Sequence, residues 1–535
     1  MVGTSLFNLQ AMESSEMNIY WCITAPRNST NMEILFIVLL LPFLFILIKQ
    51  FTVSKHEGSI KLPPGPWKLP IIGNIHQLCS GHDLPHKLLH NLATKHGPHL
   101  MYLKLGQLDH IIVSSPEAAK EIFKNHDTNF SSRPSLIASK IICYNNTDIA
   151  FSPYGSYWRQ LRKICVLELL SSRQVKASCL IREQEAFNLV KAISAVKNST
   201  VNLTERFGSL TNTITSRTAI GSKCEHGERF ISASRKADDS SPGFNIADFY
   251  PSLGFVSELT GVSSKLRKCH EEMDEILDDI IEEHCVKRRD TVSSEGEEKV
   301  EEDLVDILLS IQENGDLEFP LTRTNIKAVI HDMFSGGTLT TSTTLDWTMS
   351  ELMRHPEVMK KVQSEVRRVL KGKKKIEEED IKPLYYMKLV IKETLRLHPP
   401  LPLLLPRMCT KSCTVLGYKI PEGSRVLFNA WAIGRDSRYW DDSEQFKPER
   451  FDGDSVDYIG SNFDYVPFGG GRRICPGTTF AMATVELVLA FLLFYFDWEL
   501  PDGMKPEDLD MIESLGMATA RKFDLCLIAK PQMLS

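Results

Sequence analysis

The residues best placed to do chemistry lie between Pro467 and Gly477, where Phe468, Gly469, Gly470, Gly471, Arg472, Arg473, Ile474, Cys475 and Pro476 lead into an apolar stretch from about Thr478 to Phe496. Consecutive glycines make a tight loop and proline suits the first position of a helix, so Cys475 is expected at a helix N-terminus. Free amide donors and the positive end of the helix dipole lower a thiol's pKa there. A buried anionic sulfur with Arg473 two residues before it is what an iron ligand requires. The competing chemistry is phosphate binding by a Gly-rich loop, but the Lys-Ser/Thr pair of such loops is missing. The chain has 12 cysteines, scattered and without a CxxC, so neither a zinc site nor a disulfide framework has its spacing. Apart from Cys475 they are expected to be packed thiols.

Two further groups stand out. Ile326, Val329, Ile330, Met333, Phe334 and Gly337 fall on one face of a helix that starts near Leu321 and Thr322. That helix carries Gly336, Gly337, Thr338, Leu339, Thr340 and Thr341 in its middle, although each glycine costs about 1 kcal/mol relative to alanine. Close helix packing would explain the glycines; so would room for a ligand against bare backbone, with Thr340 supplying a hydroxyl. Glu393 and Arg396 are spaced i, i+3 on one helical face, a pattern that alone reads as an exposed ion pair worth about 0–1 kcal/mol.

The elements that must position these groups begin with an uncharged apolar run, Ile34 to Ile48, followed by Lys49, Lys55 and Lys61. With Phe51 and Val53 it reads as one membrane anchor over residues 32–53, since a cleaved leader would show a small-residue site where Lys49, Gln50 and Phe51 stand. The lysines put the body on the cytosolic side. Residues 1–31 form a polar extension, and Met32 is a candidate start of translation. Residues 54–70, with Leu62, Pro63, Pro64, Gly65 and Pro66, read as a stiff hinge. From residue 71 to 535 there is no repeat and no long linker; 71–74, 101–106 and 109–113 read as short strands, and helical patterns dominate after them. The charged stretch from Cys285 to Asp303 reads as a solvated loop entering a helix. At 535 residues, 42% apolar and 24% charged, the chain is not disordered, collagenous or a coiled coil. Length alone suggests three to four domains. A net charge of -6 argues against nucleic acid as a partner.

Phe468, Gly471, Arg473, Cys475 and Gly477 fill Phe-x-x-Gly-x-Arg-x-Cys-x-Gly, and the chain thereby resembles the cytochrome P-450 family, haem-thiolate monooxygenases. The closest likeness is to plant microsomal A-type members of specialised metabolism, and it covers nearly the whole chain after Met32. The resemblance implies one mainly α domain with small β-sheets behind the anchor, which replaces the length-based domain count. It implies haem b, with Cys475 as axial iron ligand and Trp158, Arg162, Arg407, Phe468, Arg473 and Gly477 around the porphyrin. It implies a buried network of Glu393, Arg396 and Arg450, the last within Pro448-Glu449-Arg450-Phe451. Oxygen chemistry falls to Gly336, Gly337, Thr340 and Thr341, and an apolar substrate of terpenoid or alkaloid type to residues 135–148, Phe334, Ser335, Leu403 to Leu405 and Leu515 to Met517. Electrons would come from NADPH through an NADPH-cytochrome P-450 reductase at the endoplasmic reticulum membrane, with O2 as co-substrate. Where the family carries an acid before the threonine, this chain has Leu339. That departure leaves open an ordinary oxygenase relying on Thr340 and water, an atypical oxidation (desaturation, ring rearrangement or coupling), and a peroxide-rearranging enzyme. A haem sensor without turnover is the alternative of another class.

Overall fold

β-Branched and aromatic residues with buried alternate positions place a strand at Leu100–Leu105 (β1) and another at Leu108–Val113 (β2), close to expectation. In this computed structural model residues 61–532 are described, except 80–82, 197–198, 222–228, 231, 234–235, 237–245, 294–301, 316, 374 and 454–455. The expected anchor over 32–53, the extension over 1–31 and the start of the hinge lie outside the described residues. The other strands are Thr200–Asn202 (β3), Arg407–Met408 (β4), Cys413–Val415 (β5), Tyr418–Ile420 (β6), Arg425–Phe428 (β7), Phe496–Glu499 (β8) and Cys526–Pro531 (β9). They form sheets ordered β1-β2-β7-β4, β3-β9-β8 and β5-β6. β2 and β7 run parallel, with Val113 opposite Phe428; the other pairs are antiparallel.

Residues 71–74 are not a strand. Ile71 takes φ +67 in a turn, and Gly73 makes isolated bridges to Leu69 and Leu105. The segment expected to be a stiff hinge is hydrogen-bonded to the body from residue 61 onward: Tyr102 N donates to Pro64 O at 2.9 Å and Lys419 N to Lys61 O at 2.9 Å. Proline removes a donor but leaves its carbonyl free to accept, so a Pro-rich run can edge a sheet.

Helices fill the rest. The expected long helix spans Arg323–Arg354, started by a capping box in which Thr322 accepts from Asn325 N and Asn325 Oδ1 accepts from Thr322 N. It packs against Leu203–Ile220 and Thr478–Tyr495. The latter helix is apolar on every side and long enough to cross a membrane, yet most of it is buried inside the body, which makes it a core element. The stretch expected to be a loop from Cys285 is helical as far as Ser293, the end of a 32-residue helix from Val262, where Lys287, Arg288 and Arg289 are strong helix formers. Asp303 caps the next helix, Leu304–Asn314. Residues 60–535 make one unit with shared cores.

Candidate active site

Between Phe468 and Cys475 the chain folds back on itself. Gly469 (φ +75) and Gly471 (φ +61) adopt left-handed backbone, and a Cβ at 471 would sit 2.2 Å from Asp127 Oδ1. The Asp127 carboxylate accepts from Arg472 N at 3.0 Å and Arg472 Nη1 at 2.8 Å, clamping the turn. Cys475 N donates to Phe468 O at 3.0 Å. The following helix starts at Thr478 with Gly477 as its cap, so Pro476 does not take the first helical position as expected; a turn intervenes, closed by Thr478 Oγ1 donating to Cys475 O at 3.1 Å. The thiol pKa is also opposite to expectation. Burial pushes it up, against the amides of Gly477 and Thr478 and the charge of Arg162, because desolvation of a thiolate outweighs a few partial charges. Cys475 is enclosed by protein, and its accessible area opens into an internal cavity.

That cavity has a volume of about 430 Å³ and a mostly apolar wall. Facing it from the long helix are Ser335, Gly336, Gly337, Leu339, Thr340 and Thr341. The two explanations for the glycines divide between them. A Cβ at Gly337 would meet Thr215 Oγ1 at 3.0 Å, so that glycine permits close helix packing. A Cβ at Gly336 would meet nothing within 4 Å, so that glycine faces open cavity. Thr340 Oγ1 donates to Gly336 O at 2.6 Å, and its lone pairs remain available. The buried Thr341 hydroxyl has no partner among the described residues.

Cations gather at one side. Arg473 donates to the carbonyls of Ser131 (2.7 Å), Ile149 (3.1 Å) and Ser152, and its guanidinium lies 4.0 Å from the Trp158 ring centroid. Trp158 Nε1 donates to the same Ile149 carbonyl at 3.0 Å, and Arg162 Nη2 to Ile474 O at 2.6 Å. Arg407 stacks 4.6 Å from the Phe123 ring centroid and reaches Gly470 O. Burial lowers the pKa of Arg473 to about 9 and that of Arg407 to about 10. Arg133, buried, is held well below the usual guanidinium value by burial and by the charges of Arg473 and Arg407. Arg133, Arg407 and Arg473 share the nearby carboxylates of Asp127 and Asp148, and Arg162 stands beside Cys475, an excess of buried positive charge that additional anions would relieve.

Asp332 on the long helix accepts from Ile149 N at 2.7 Å and Ala150 N at 3.3 Å and hydrogen-bonds Asp148. Burial pushes both carboxyls up, Asp148 to about 6, and the charge of Asp148 raises Asp332 as well, whereas hydrogen bonds from Phe151 N and Asp332 hold Asp148 down. Asp332 ties the long helix to the loop whose Ile149 carbonyl serves Trp158 and Arg473.

Glu393, Arg396 and Arg450 form the expected network, buried rather than superficial. Arg396 Nε and Nη2 donate to Glu393 at 2.7 and 2.8 Å, and Arg450 Nε at 2.9 Å. Arg396 also donates to the carbonyls of Gly434, Ser443 and Gln445, so each buried charge is paired and hydrogen-bonded.

The structure brings together at the cavity Cys475, Phe468, Gly477, Arg473, Arg407, Arg162, Trp158, Gly336, Gly337, Thr340, Thr341, Ser335 and Leu404. Phe334, Leu515 and Leu403, expected to line it, lie elsewhere. Phe334 turns into the core against Phe230 with ring centroids 4.9 Å apart, since neighbouring helical positions point about 100° apart. Leu515 is 59% exposed at the tip of a loop bridged by Glu513 and Arg521, while Met517 and Ala518 line the cavity instead. Leu403 packs in another cluster. Arg133, Asp127 and Asp332 escaped sequence reasoning because none sits in a spaced motif.

Comparison with known proteins completes the picture. The family model for cytochrome P450 matches residues 63–527. Premnaspirodiene oxygenase of Hyoscyamus muticus is 49% identical over 92% of this chain and 97% of its own length. Desmethyl-deoxy-podophyllotoxin synthase of Sinopodophyllum hexandrum is 51% identical over 92% and 95%, and melianol synthase of Azadirachta indica 49% over 91% and 95%. In fold, a zebra fish cytochrome P450 solved with abiraterone superposes with a TM-score of 0.68, 23% identity, and coverage of 84% of this chain and 100% of that one. A cavity with a thiol at one wall and guanidiniums beside it has the donor chemistry to take an anionic metal cofactor. The chain belongs to the cytochrome P450 family. It is a monooxygenase with a haem-iron cofactor, supplied with electrons by a redox partner, and the sensor alternative falls away.

Proposed function

We propose that this P450 inserts one atom of O2 into an apolar plant specialised metabolite of terpenoid or alkaloid type, using NADPH through a membrane-bound NADPH-cytochrome P450 reductase. The observation that carries the reading is the pairing of the cavity-facing Cys475 thiol with the cluster of Arg133, Arg162, Arg407 and Arg473 along one cavity. Cys475 would supply the sulfur ligand to the haem iron, and the four guanidiniums with Trp158 would pair with the haem carboxylates. A Cβ at Gly477 would come 3.8 Å from Cys475 Sγ, so glycine keeps that approach uncrowded. Bound there, haem iron supplies oxygen activation, with thiolate ligation favouring O–O cleavage. Gly336 leaves room beside the distal helix, and Thr340 holds a proton at Oγ1 that it can pass on when its bond to Gly336 O swings away. The apolar wall excludes water and takes an apolar skeleton. The relatives' named products and substrates support that class.

Leu339 faces the cavity where proton delivery takes place, and this favours a second reading, an atypical oxidation on the same scaffold. Membrane attachment through residues 32–53, with the catalytic body on the cytosolic side of the endoplasmic reticulum, is supported by exposed apolar side chains along one edge. Ile71 adjoins Tyr250, whose hydroxyl donates to Ile71 O at 3.4 Å; Leu253, Phe255 and Leu259 follow Tyr250 in the chain, and they and Trp67 are exposed.

The test is a reduced, carbon-monoxide-treated spectrum of microsomes from yeast making the protein with a reductase, followed by turnover of a terpene and alkaloid panel. Wild type is expected to show the red-shifted Soret band of thiolate ligation and NADPH-dependent oxidation. Cys475→Ser is expected to lose that band and at least a hundredfold in turnover; a variant indistinguishable from wild type overturns the assignment.

A further inference from the structure

Away from the cavity, two free thiols meet. Cys409 follows β4 and Cys413 opens β5, and their sulfurs hydrogen-bond each other across a three-residue loop. Asn129 threads that loop. Its Nδ2 donates to Lys411 O at 2.7 Å and lies 3.6 Å from Cys409 Sγ, while its Oδ1 accepts from Lys411 N at 2.7 Å and Thr410 Oγ1 at 2.8 Å. The backbone is fixed on the other side as well: Cys409 N donates to Ser424 O at 2.9 Å and Gly423 N to Cys409 O at 2.8 Å. Only the side chains are free to turn. The two thiols are unlike. Cys409 is fully buried and donates to Lys411 O at 3.1 Å, and to Cys413 when its S–H turns, whereas Cys413 is half-buried with Cys409 and Asn129 as its hydrogen-bonding neighbours. Those donors draw the Cys413 pKa down and leave that of Cys409 raised. The asymmetry is that of an attacking and a resolving thiol.

We propose that Cys409 and Cys413 form a peroxide-responsive dithiol site that closes reversibly to a disulfide. The Cys413 thiolate attacks one oxygen of hydrogen peroxide; an S–O bond forms, the O–O bond breaks, and the departing hydroxide takes a proton to become water. The Cys409 sulfur then attacks Cys413; the S–S bond forms, the S–O bond breaks, and the released hydroxide combines with the Cys409 proton as a second water. Two thiols lose two electrons and two protons, and one peroxide is reduced to two waters. Closure takes Cys409 away from Lys411 O and Asn129, two residues from Arg407.

The test uses the full-length holoprotein with its iron capped by imidazole, treated with hydrogen peroxide, alkylated and digested with trypsin without reduction. Cleavage after Arg407, Lys411 and Lys419 puts the two cysteines on separate peptides, 408–411 and 412–419. The expected product is the two peptides joined, released by dithiothreitol. In Cys413→Ser, oxidation of Cys409 is expected to slow at least tenfold. In Cys409→Ala, Cys413 is expected to accumulate as a dimedone-reactive sulfenic acid. Wild type that gives singly oxidised peptides without the joined species overturns the proposal, and so does Cys409 oxidising equally fast without Cys413.

Discussion

At the scale of single residues, function turns on what stands next to Thr340. A carboxylate beside that hydroxyl would relay protons, and Leu339 cannot. Leu339→Asp is expected to raise the fraction of NADPH consumption that ends in product and to lower peroxide release, read by stoichiometric measurement of NADPH, peroxide and product. Unchanged or lower coupling would mean that proton delivery here does not pass through position 339. Part of this site was legible at this scale because Cys475 and its glycines keep a fixed spacing, whereas Glu393 and Arg396 alone read as an exposed pair and only the family likeness pointed to a buried network. Arg133, Asp127 and Asp332 were not legible. Their roles come from chain segments far apart in sequence, such as Arg133 donating to Leu405 O and Pro406 O.

At the scale of elements, the distal helix carries two separable experiments. Gly336→Ala adds a methyl to open space and removes a helix-interior glycine, so it is expected to stabilise the protein by about 1 kcal/mol while narrowing the cavity. Gly337→Ala forces Thr215 to move and is expected to destabilise by about 1–3 kcal/mol. Thermal unfolding and the spectral titration of an apolar ligand read the two effects apart. The same helix holds the Asp148–Asp332 pair. Both carboxyls have folded pKa values above the ordinary carboxylate value, so from about pH 4 up through the Asp148 value of about 6 the folded state binds more protons than the unfolded one. Stability from this pair is therefore present in acid and lost as pH rises through that window. Asp332→Asn keeps an acceptor for Ile149 N and supplies a donor to Asp148, and is expected to flatten the fall in melting temperature between pH 5 and 8; an equally steep fall would place its origin elsewhere. Element types were readable wherever periodicity was long, as in Arg323–Arg354. They were misread where short: 71–74 mimics a strand in composition, but Gly73 bends it into a turn.

At the scale of the whole molecule, the apolar edge formed by Trp67, Ile71, Leu253, Phe255 and Leu259 faces a lipid surface if the proposed attachment holds. A fluorophore placed at position 259 of the full chain in bilayers is expected to be quenched by spin-labelled lipid, whereas one at Ile459, also exposed, is not. Equal quenching at both sites would remove that orientation. Overall architecture was the least legible level from the residues alone, since length suggested several domains and only the family likeness pointed to one. The parallel pairing of β2 with β7 shows why. It joins segments roughly 300 residues apart, so during synthesis at about 5–20 residues per second the first strand waits on the order of 15–60 s for its neighbour. Throughout that interval an apolar strand emerges from the ribosome with one side unclaimed, a hazard for clumping that chaperones must cover.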